Sequence, residues 1–167
     1  MSSRVLIVFA SRNGSTAEIA DAIGRELQSM GWEATVSELN AAKGVGGYNA
    51  VVIGGPLYMG RVVTEVGKFV GRHAKELCRI PVAAFTVGTS PLSPNPAQVE
   101  NAKKALHSAV SPLKPVTEVV FAGKLDPEKL SFFQKKLVAL VKSPVGDFRD
   151  WDVIARWARE LPGLMKL

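Results

Sequence analysis

Apolar runs alternate with amphipathic segments along most of the chain. Five runs have the length and composition of buried strands, and they lie at Val5–Ala10, Trp32–Leu39, Ala50–Ile53, Ile80–Thr86 and Val116–Phe121. Between them, apolar residues recur at helical spacing in Ala17–Leu27 and in about Val62–Lys75, and a third helix is predicted to end near Val110. This alternation predicts an α/β fold in which helices join parallel strands.

Two more helices are predicted after the fifth strand. One runs from Pro127 to about Lys142 and is an addition to the alternating pattern, and the other runs from Trp151 to about Leu161. Asp150 is placed to cap the last helix. The buried face of that helix is predicted to contain Trp151, Ile154, Ala155, Ala158 and Leu161. The chain shows no repeat or linker composition, so its 167 residues are predicted to form a single domain, 1–167.

The most informative junction, Ser11–Thr16, lies between the first strand and the first helix. The free N–H groups and the dipole of a helix N-terminus favour a negatively charged group, so a phosphate is the natural occupant of this turn. The hydroxyls of Ser11, Ser15 and Thr16 add neutral donors. The alternative is a polar turn in which Ser15 or Thr16 only caps the helix.

The residues that the turn lacks narrow the kind of phosphate site. It has no Gly-Lys-Ser/Thr of a nucleotide-triphosphate loop and no Gly-x-Gly-x-x-Gly of a dinucleotide site. No cysteine precedes the turn as a phosphatase nucleophile would. The remaining interpretation is a site for one terminal phosphate, as in a mononucleotide cofactor.

Five strands that open on a phosphate turn favour a doubly wound parallel sheet with the order 2-1-3-4-5. Ligands of such sheets bind beyond the carboxyl ends of the strands, at the point where the strand order reverses. Three loops are predicted to converge there, namely Ser11–Thr16, Pro56–Arg61 and Gly88–Pro94.

The segment Ile7–Thr16, followed by Ala20 and Ile23 at helical positions, resembles the FMN-phosphate signature of the flavodoxin-like family. The resemblance implies that FMN is the cofactor and that its phosphate lies among Ser11, Arg12, Asn13, Gly14, Ser15 and Thr16. It also implies that the isoalloxazine ring lies between the second and third loops, at Pro56, Leu57, Tyr58, Met59, Gly60, Gly88, Thr89 and Ser90.

A narrower resemblance is to the flavodoxin-type, menaquinone-dependent protoporphyrinogen oxidases (dehydrogenases). The matching segments are Val51–Gly60, Phe69–His73, Phe121–Leu125 with the extra helix, and Asp147–Asp152. The resemblance implies that a porphyrinogen is the electron donor and a membrane quinone the acceptor. The chain departs from this family at Lys142–Asp147, where a longer Gly/Thr/Asp-rich stretch is expected.

The chemistry would reside on the flavin, so no catalytic side chain or metal site is expected. Tyr58 is expected to stack on the ring rather than to be an ordinary loop tyrosine. The Met59–Gly60 peptide either reorients to accept a hydrogen bond from reduced flavin N5 or is a simple turn. Arg12 and Arg61 are candidates for binding anionic substrate groups, and exposed arginines without a ligand are the alternative.

Several other polar residues are interpreted as structural. His73, His107, Glu65 and Arg72 lie in predicted helices and are expected to have surface or packing roles. Cys78 is the only cysteine, which excludes a disulfide within one chain, and it is interpreted as a packed thiol.

The net charge of +6 and the isoelectric point near 9.6 indicate an anionic partner, and nucleic acid is not expected because no nucleic-acid-binding motif is present. The chain lacks a signal-peptide pattern and an apolar run of membrane-spanning length, so a cytoplasmic location is expected. Peripheral contact with an anionic inner-membrane face is a further expectation, through Phe132, Lys129, Lys135, Lys136 and Lys142 of the extra helix. A soluble amphipathic helix is the alternative.

Two hypotheses about function follow. The first is an FMN-dependent oxidoreductase of the protoporphyrinogen oxidase type, which the basic charge favours because flavodoxins are typically acidic. The second is a soluble, flavodoxin-like electron-transfer protein that docks to redox proteins. An NAD(P)H:quinone reductase is a third reading, but the sequence contains no second nucleotide-binding motif to support it.

Overall fold

The computed structural model describes residues 2–125, 135–136, 139–140 and 146–167. The strands in this part of the chain are β1 (Arg4–Phe9), β2 (Glu33–Glu38), β3 (Ala50–Tyr58), β4 (Arg61–Val62), β5 (Val82–Gly88), β6 (Thr117–Ala122), β7 (Lys124–Leu125) and β8 (Gly146–Asp147). The helices with described bounds are α1 (Ser15–Ser29), α2 (Thr64–Leu77), α3 (Ala97–Ala109) and α4 (Trp151–Met165), together with a 3-10 turn at Ser90–Leu92. Residues 135–136 and 139–140 are also helical.

The main sheet has five parallel strands in the order β2-β1-β3-β5-β6. The two-residue strand β4 pairs with the end of β3 in the antiparallel sense. When the short strand β4 is left out of the numbering, β5 and β6 are the fourth and fifth long strands. The observed order is then the predicted 2-1-3-4-5. The reversal of strand order therefore lies between β1 and β3, where the ligand site is predicted.

Helices cover both faces of the sheet. Side chains of β1 alternate between the two faces, so Val5 and Ile7 belong to the core under α1 and α4, whereas Leu6 and Val8 belong to the core under α2. Strands buried on both sides are typical of parallel sheets, which explains the continuous apolar runs in the sequence. The α/β prediction is confirmed.

The largest boundary difference is at the end of β3. The sequence predicts a strand over Ala50–Ile53 and a helix from about Val62, but β3 continues to Tyr58 and α2 begins only at Thr64. The intervening residues form a hairpin in which Tyr58 pairs with Arg61. Because the apolar run ends before this hairpin, apolar patterning alone missed it.

Two predicted side-chain environments are wrong. Cys78 is exposed rather than packed, because it follows the last buried turn of α2. Trp151 is 41% exposed because it begins α4 ahead of the first buried position, Ile154. Trp157, which was not predicted, is buried instead, while the predicted cap is confirmed because Asp150 Oδ1 accepts the Val153 N–H at 3.2 Å.

The predicted helix from Pro127 to Lys142 lies outside the described residues except at 135–136 and 139–140. Phe132, Lys129 and Lys142 therefore have no described environment. Within the part of the chain that the structure describes, no helix combines the length and apolar character needed to cross a membrane.

Candidate functional site

The turn before α1 has an uncapped helix N-terminus. Gly14 occupies the capping position with φ +87°, and no side chain of the described residues caps the helix. The alternative interpretation required Ser15 or Thr16 to cap the helix, and neither residue does so. The first N–H groups of a helix have no acceptor within it, so this end of α1 offers donors and a positive dipole to an anion.

The hydroxyls of the turn are oriented by neighbouring backbone groups. Ser11 Oγ accepts the Gly14 N–H at 3.0 Å, and Ser15 Oγ accepts the Lys124 N–H at 3.1 Å. Each bond uses a lone pair of the oxygen, so each hydroxyl can still donate its proton. Thr16 is only 2% exposed, whereas Ser11 and Ser15 are half-buried. The two serines are thus more exposed to a ligand than Thr16 is.

Arg12 links this turn to α2. Its guanidinium lies 2.6 Å from Glu65 Oε1, and the side chain remains about half exposed, at 51%. The pKa of Glu65 is lowered, first by its own backbone N–H and then by Arg12, although burial raises it. Glu65 is therefore half-buried in an ion pair with Arg12, which agrees with the expected surface or packing role. Binding of a substrate anion by Arg12 stays a prediction.

The second loop is the tight hairpin between β3 and β4. Met59 and Gly60 are its central residues, with φ values of 51° and 75°, which is the pattern of a type I′ turn. Tyr58 is 48% exposed and Met59 is 64% exposed. The hairpin therefore presents an aromatic and a thioether side chain at the carboxyl edge of the sheet. Stacking of Tyr58 on a flavin stays a prediction.

The third loop approaches the second closely. A Cβ atom on Gly88 would lie 3.2 Å from Leu57 Cβ, so the lack of a side chain allows the two loops to approach each other. Gly88 also accepts the Gly123 N–H at 3.1 Å through its carbonyl. Thr89 then leads into the 3-10 turn at Ser90–Leu92. The structure thus brings the second and third predicted loops together.

Residues of β7 and β8 lie beside the Ser11–Thr16 turn, and the sequence pattern did not predict this placement. Strand β7 pairs with β8 through Lys124–Asp147 and Leu125–Gly146, and Phe148 N–H donates to the Gly123 carbonyl at 3.1 Å. A Cβ on Gly123 would lie 2.9 Å from Val87 Cγ1 and 3.6 Å from Ser15 Oγ. The one sequence feature that pointed to these residues was the segment Phe121–Leu125 around Gly123, and it was identified only by its resemblance to the family.

The two histidines lie away from these loops, as expected. His107 is exposed on α3 and its Nδ1 lies 2.7 Å from Glu118 Oε1. The His73 ring lies 4.7 Å from the ring of Phe69 on α2. Arg61 is exposed at the hairpin, and binding of a substrate anion by Arg61 stays a prediction, as it does for Arg12.

Comparison with known proteins gives a consistent family. A model of the flavodoxin domain matches residues 6–152. The protoporphyrinogen IX dehydrogenase [quinone] of Escherichia coli (strain K12) is 27% identical over 175 residues, which cover 96% of each chain.

Solved structures share the fold. A flavodoxin from Streptococcus pneumonia TIGR4 has a TM-score of 0.60 and 16% identity, with 96% of this chain and 99% of that chain covered. A flavoprotein in complex with FMN from Lactobacillus acidophilus NCFM has a TM-score of 0.54 and 12% identity, with coverage of 72% and 93%.

Proposed function

The chain belongs to the flavodoxin family and its cofactor is FMN, and from this premise we propose that it is an oxidoreductase of the protoporphyrinogen IX dehydrogenase type. The electron donor is a porphyrinogen and the acceptor is a quinone. The observation that carries the proposal is the relationship to the Escherichia coli dehydrogenase, which extends over 96% of both chains rather than over the phosphate turn alone.

The residues of the first loop fit a terminal phosphate. Ser11, Arg12, Asn13, Gly14, Ser15 and Thr16 form the proposed phosphate site. The uncapped N–H groups of α1 and the two oriented serine hydroxyls are donors, and the glycine at φ +87° leaves the turn without a side chain at the cap.

The second and third loops form the proposed ring site, with Pro56–Gly60 on one side and Gly88–Ser90 on the other. FMN, when bound, supplies a ring that accepts and releases electrons. The protein orients this ring and controls access to it. The exposed side chains of Tyr58 and Met59 offer apolar contact, and the exposed Arg61 offers a cation to the carboxylates of a porphyrinogen.

An anaerobic assay with purified FMN-loaded protein, protoporphyrinogen and a menaquinone analogue tests the proposal. We expect protoporphyrin to form with reduction of the quinone, and Arg61→Gln to raise the KM for the porphyrinogen. Arg79→Gln is the matched control, since Arg79 is exposed at the other end of α2. Absence of turnover, together with rapid reduction of a redox protein, would favour the electron-carrier function instead.

Peripheral membrane contact belongs to the same proposal because the quinone is dissolved in lipid. Phe132→Ser combined with Lys135→Glu and Lys136→Glu should reduce co-sedimentation with anionic liposomes. Added salt should also reduce binding, because it screens the lysines. Binding that is indifferent to lipid charge would contradict this part.

A further inference from the structure

The short ladder of β7 with β8 lies beside the proposed phosphate site. It pairs Leu125 with Gly146 and Lys124 with Asp147. Lys124 donates its backbone N–H to Ser15 Oγ at 3.1 Å. The position of this short ladder therefore determines the position of a donor on the phosphate turn.

Arg149 holds the ladder in place. Its Nε and Nη2 atoms lie 2.9 Å and 2.8 Å from the two carboxylate oxygens of Asp147, which is the partner of Lys124 in the ladder. Its Nη1 atom lies 2.5 Å from Glu18 Oε2, in the first turn of α1. The guanidinium also lies 4.6 Å from the centre of the Trp151 ring. Arg149 thus contacts both the ladder and the helix that begins at the turn.

Another arginine, Arg159 of α4, makes the same kind of contact at the far end of α1. Arg159 Nη1 lies 2.8 Å from Glu26 Oε1, and its side chain is 54% exposed. Arg149 is 4% exposed and binds Asp147 through two nitrogens. A buried, bidentate arginine constrains geometry far more than a solvated pair does. The two contacts differ in location and in strength.

We propose that Arg149 is a positioning residue for the FMN phosphate. It holds Asp147 and hence the backbone of Lys124, whose N–H fixes the Ser15 hydroxyl as a donor to the phosphate. Its bond to Glu18 holds the first turn of α1 against the same ladder. The proposal rests on the placement of the phosphate at Ser11–Thr16, and Arg149 itself does not contact the cofactor.

The experiment measures the dissociation constants of FMN and riboflavin, which differ only by the phosphate. The variants are Arg149→Gln, Ser15→Ala and the double variant, with Arg159→Gln as the matched control. Thermal unfolding of each apoprotein is followed by circular dichroism. Glu18→Gln weakens the contact between Arg149 and α1 and replaces Arg149→Gln if that variant does not fold.

Arg149→Gln and Ser15→Ala should each reduce the preference for FMN over riboflavin by up to about tenfold, the scale of one lost hydrogen bond. The double variant should lose little more than either single variant, because the two residues act through one bond. Arg159→Gln should lower stability slightly and keep the preference.

Two results would overturn the proposal in distinguishable ways. An unchanged preference in Arg149→Gln, with a reduced preference in Ser15→Ala, would leave Arg149 a purely structural residue. An unchanged preference in Ser15→Ala would show that the Ser15 hydroxyl does not bind the phosphate. The proposed role of Arg149 would then fail as well.

Discussion

Two glycine turns lie at the carboxyl edge of the sheet, and both glycines have a positive φ, but the two turns present different groups to a ligand. Gly14 and Gly60 have φ values of 87° and 75°, and a Cβ on either would meet nothing within 4 Å. In the Gly14 turn, the Ser11 hydroxyl accepts the Gly14 N–H and the Ser15 hydroxyl accepts the Lys124 N–H, and the turn leads into an uncapped helix end. The Gly60 turn instead projects exposed side chains from a hairpin. Fixed donors suit charge binding, whereas exposed side chains suit contact with a ring and its partners.

Of the changes considered, Gly14→Ala should have the largest effect, and it tests the assignment of the Gly14 turn to the phosphate. An L residue at this φ costs about 1–2 kcal/mol in folding, and relief of that strain moves the N–H groups that face the phosphate. We expect the dissociation constant of FMN to rise about tenfold, a change worth about 1.4 kcal/mol, with a much smaller change for riboflavin. Paired titrations of the two ligands check this result. Equal losses for both would contradict a phosphate role for the turn.

Gly60→Ala is the matched change in the hairpin. The similar φ predicts a similar loss of about 1–2 kcal/mol in the free energy of unfolding, measurable by urea denaturation. The ratio of FMN to riboflavin affinity should stay unchanged because the hairpin is assigned to the ring. A selective loss of FMN affinity would contradict the assignment of the phosphate to the Gly14 turn and of the ring to the Gly60 hairpin.

The ladder of Lys124 with Asp147, which lies beside the phosphate turn, should be more sensitive to acid than the hairpin. Arg149 lowers the pKa of Asp147 from 3.8 to about 2, mainly through its side-chain hydrogen bond. A lowered folded-state pKa adds stability above pH 3.8, and this stability is lost as the pH falls through about 2.

Asp147→Asn measures this contribution. The Asp147 side chain is 42% exposed, so solvent screening limits the expected loss at neutral pH to about 1 kcal/mol. The difference from the wild-type protein should shrink as the pH is lowered from 4 to 2 in denaturation experiments. A difference that is constant with pH would exclude ionisation of Asp147 as the cause.

Tyr58→Ala should have the smallest effect on the fold. The side chain is on an exposed hairpin, so the free energy of unfolding should change by no more than about 0.5 kcal/mol. The absorption spectrum and the reduction potential of bound FMN should change, because the tyrosine is assigned to the ring. An unaltered spectrum would make Tyr58 an ordinary loop residue.

The sequence predicted the sheet because continuous apolar strands such as Val51–Ile53 have few alternatives in an α/β protein. It also predicted the strand-to-helix turn at Ser11–Thr16, because hydroxyls and a glycine follow β1, and the role of this turn as a phosphate site stays a prediction. It did not predict the ladder of Lys124 with Asp147 or the bond of Arg149 to Glu18. These contacts join residues far apart in the chain, and neither periodicity nor a local motif encodes such pairs.

A crystal structure of the protein with bound FMN would show directly which residues contact the phosphate and which contact the ring. We expect the phosphate to lie within hydrogen-bonding distance of the Ser15 hydroxyl and the first N–H groups of α1, with the isoalloxazine ring against Tyr58 between the second and third loops. A phosphate bound away from the Ser11–Thr16 turn, or a ring remote from Tyr58, would contradict the proposed division of the cofactor between the two glycine turns.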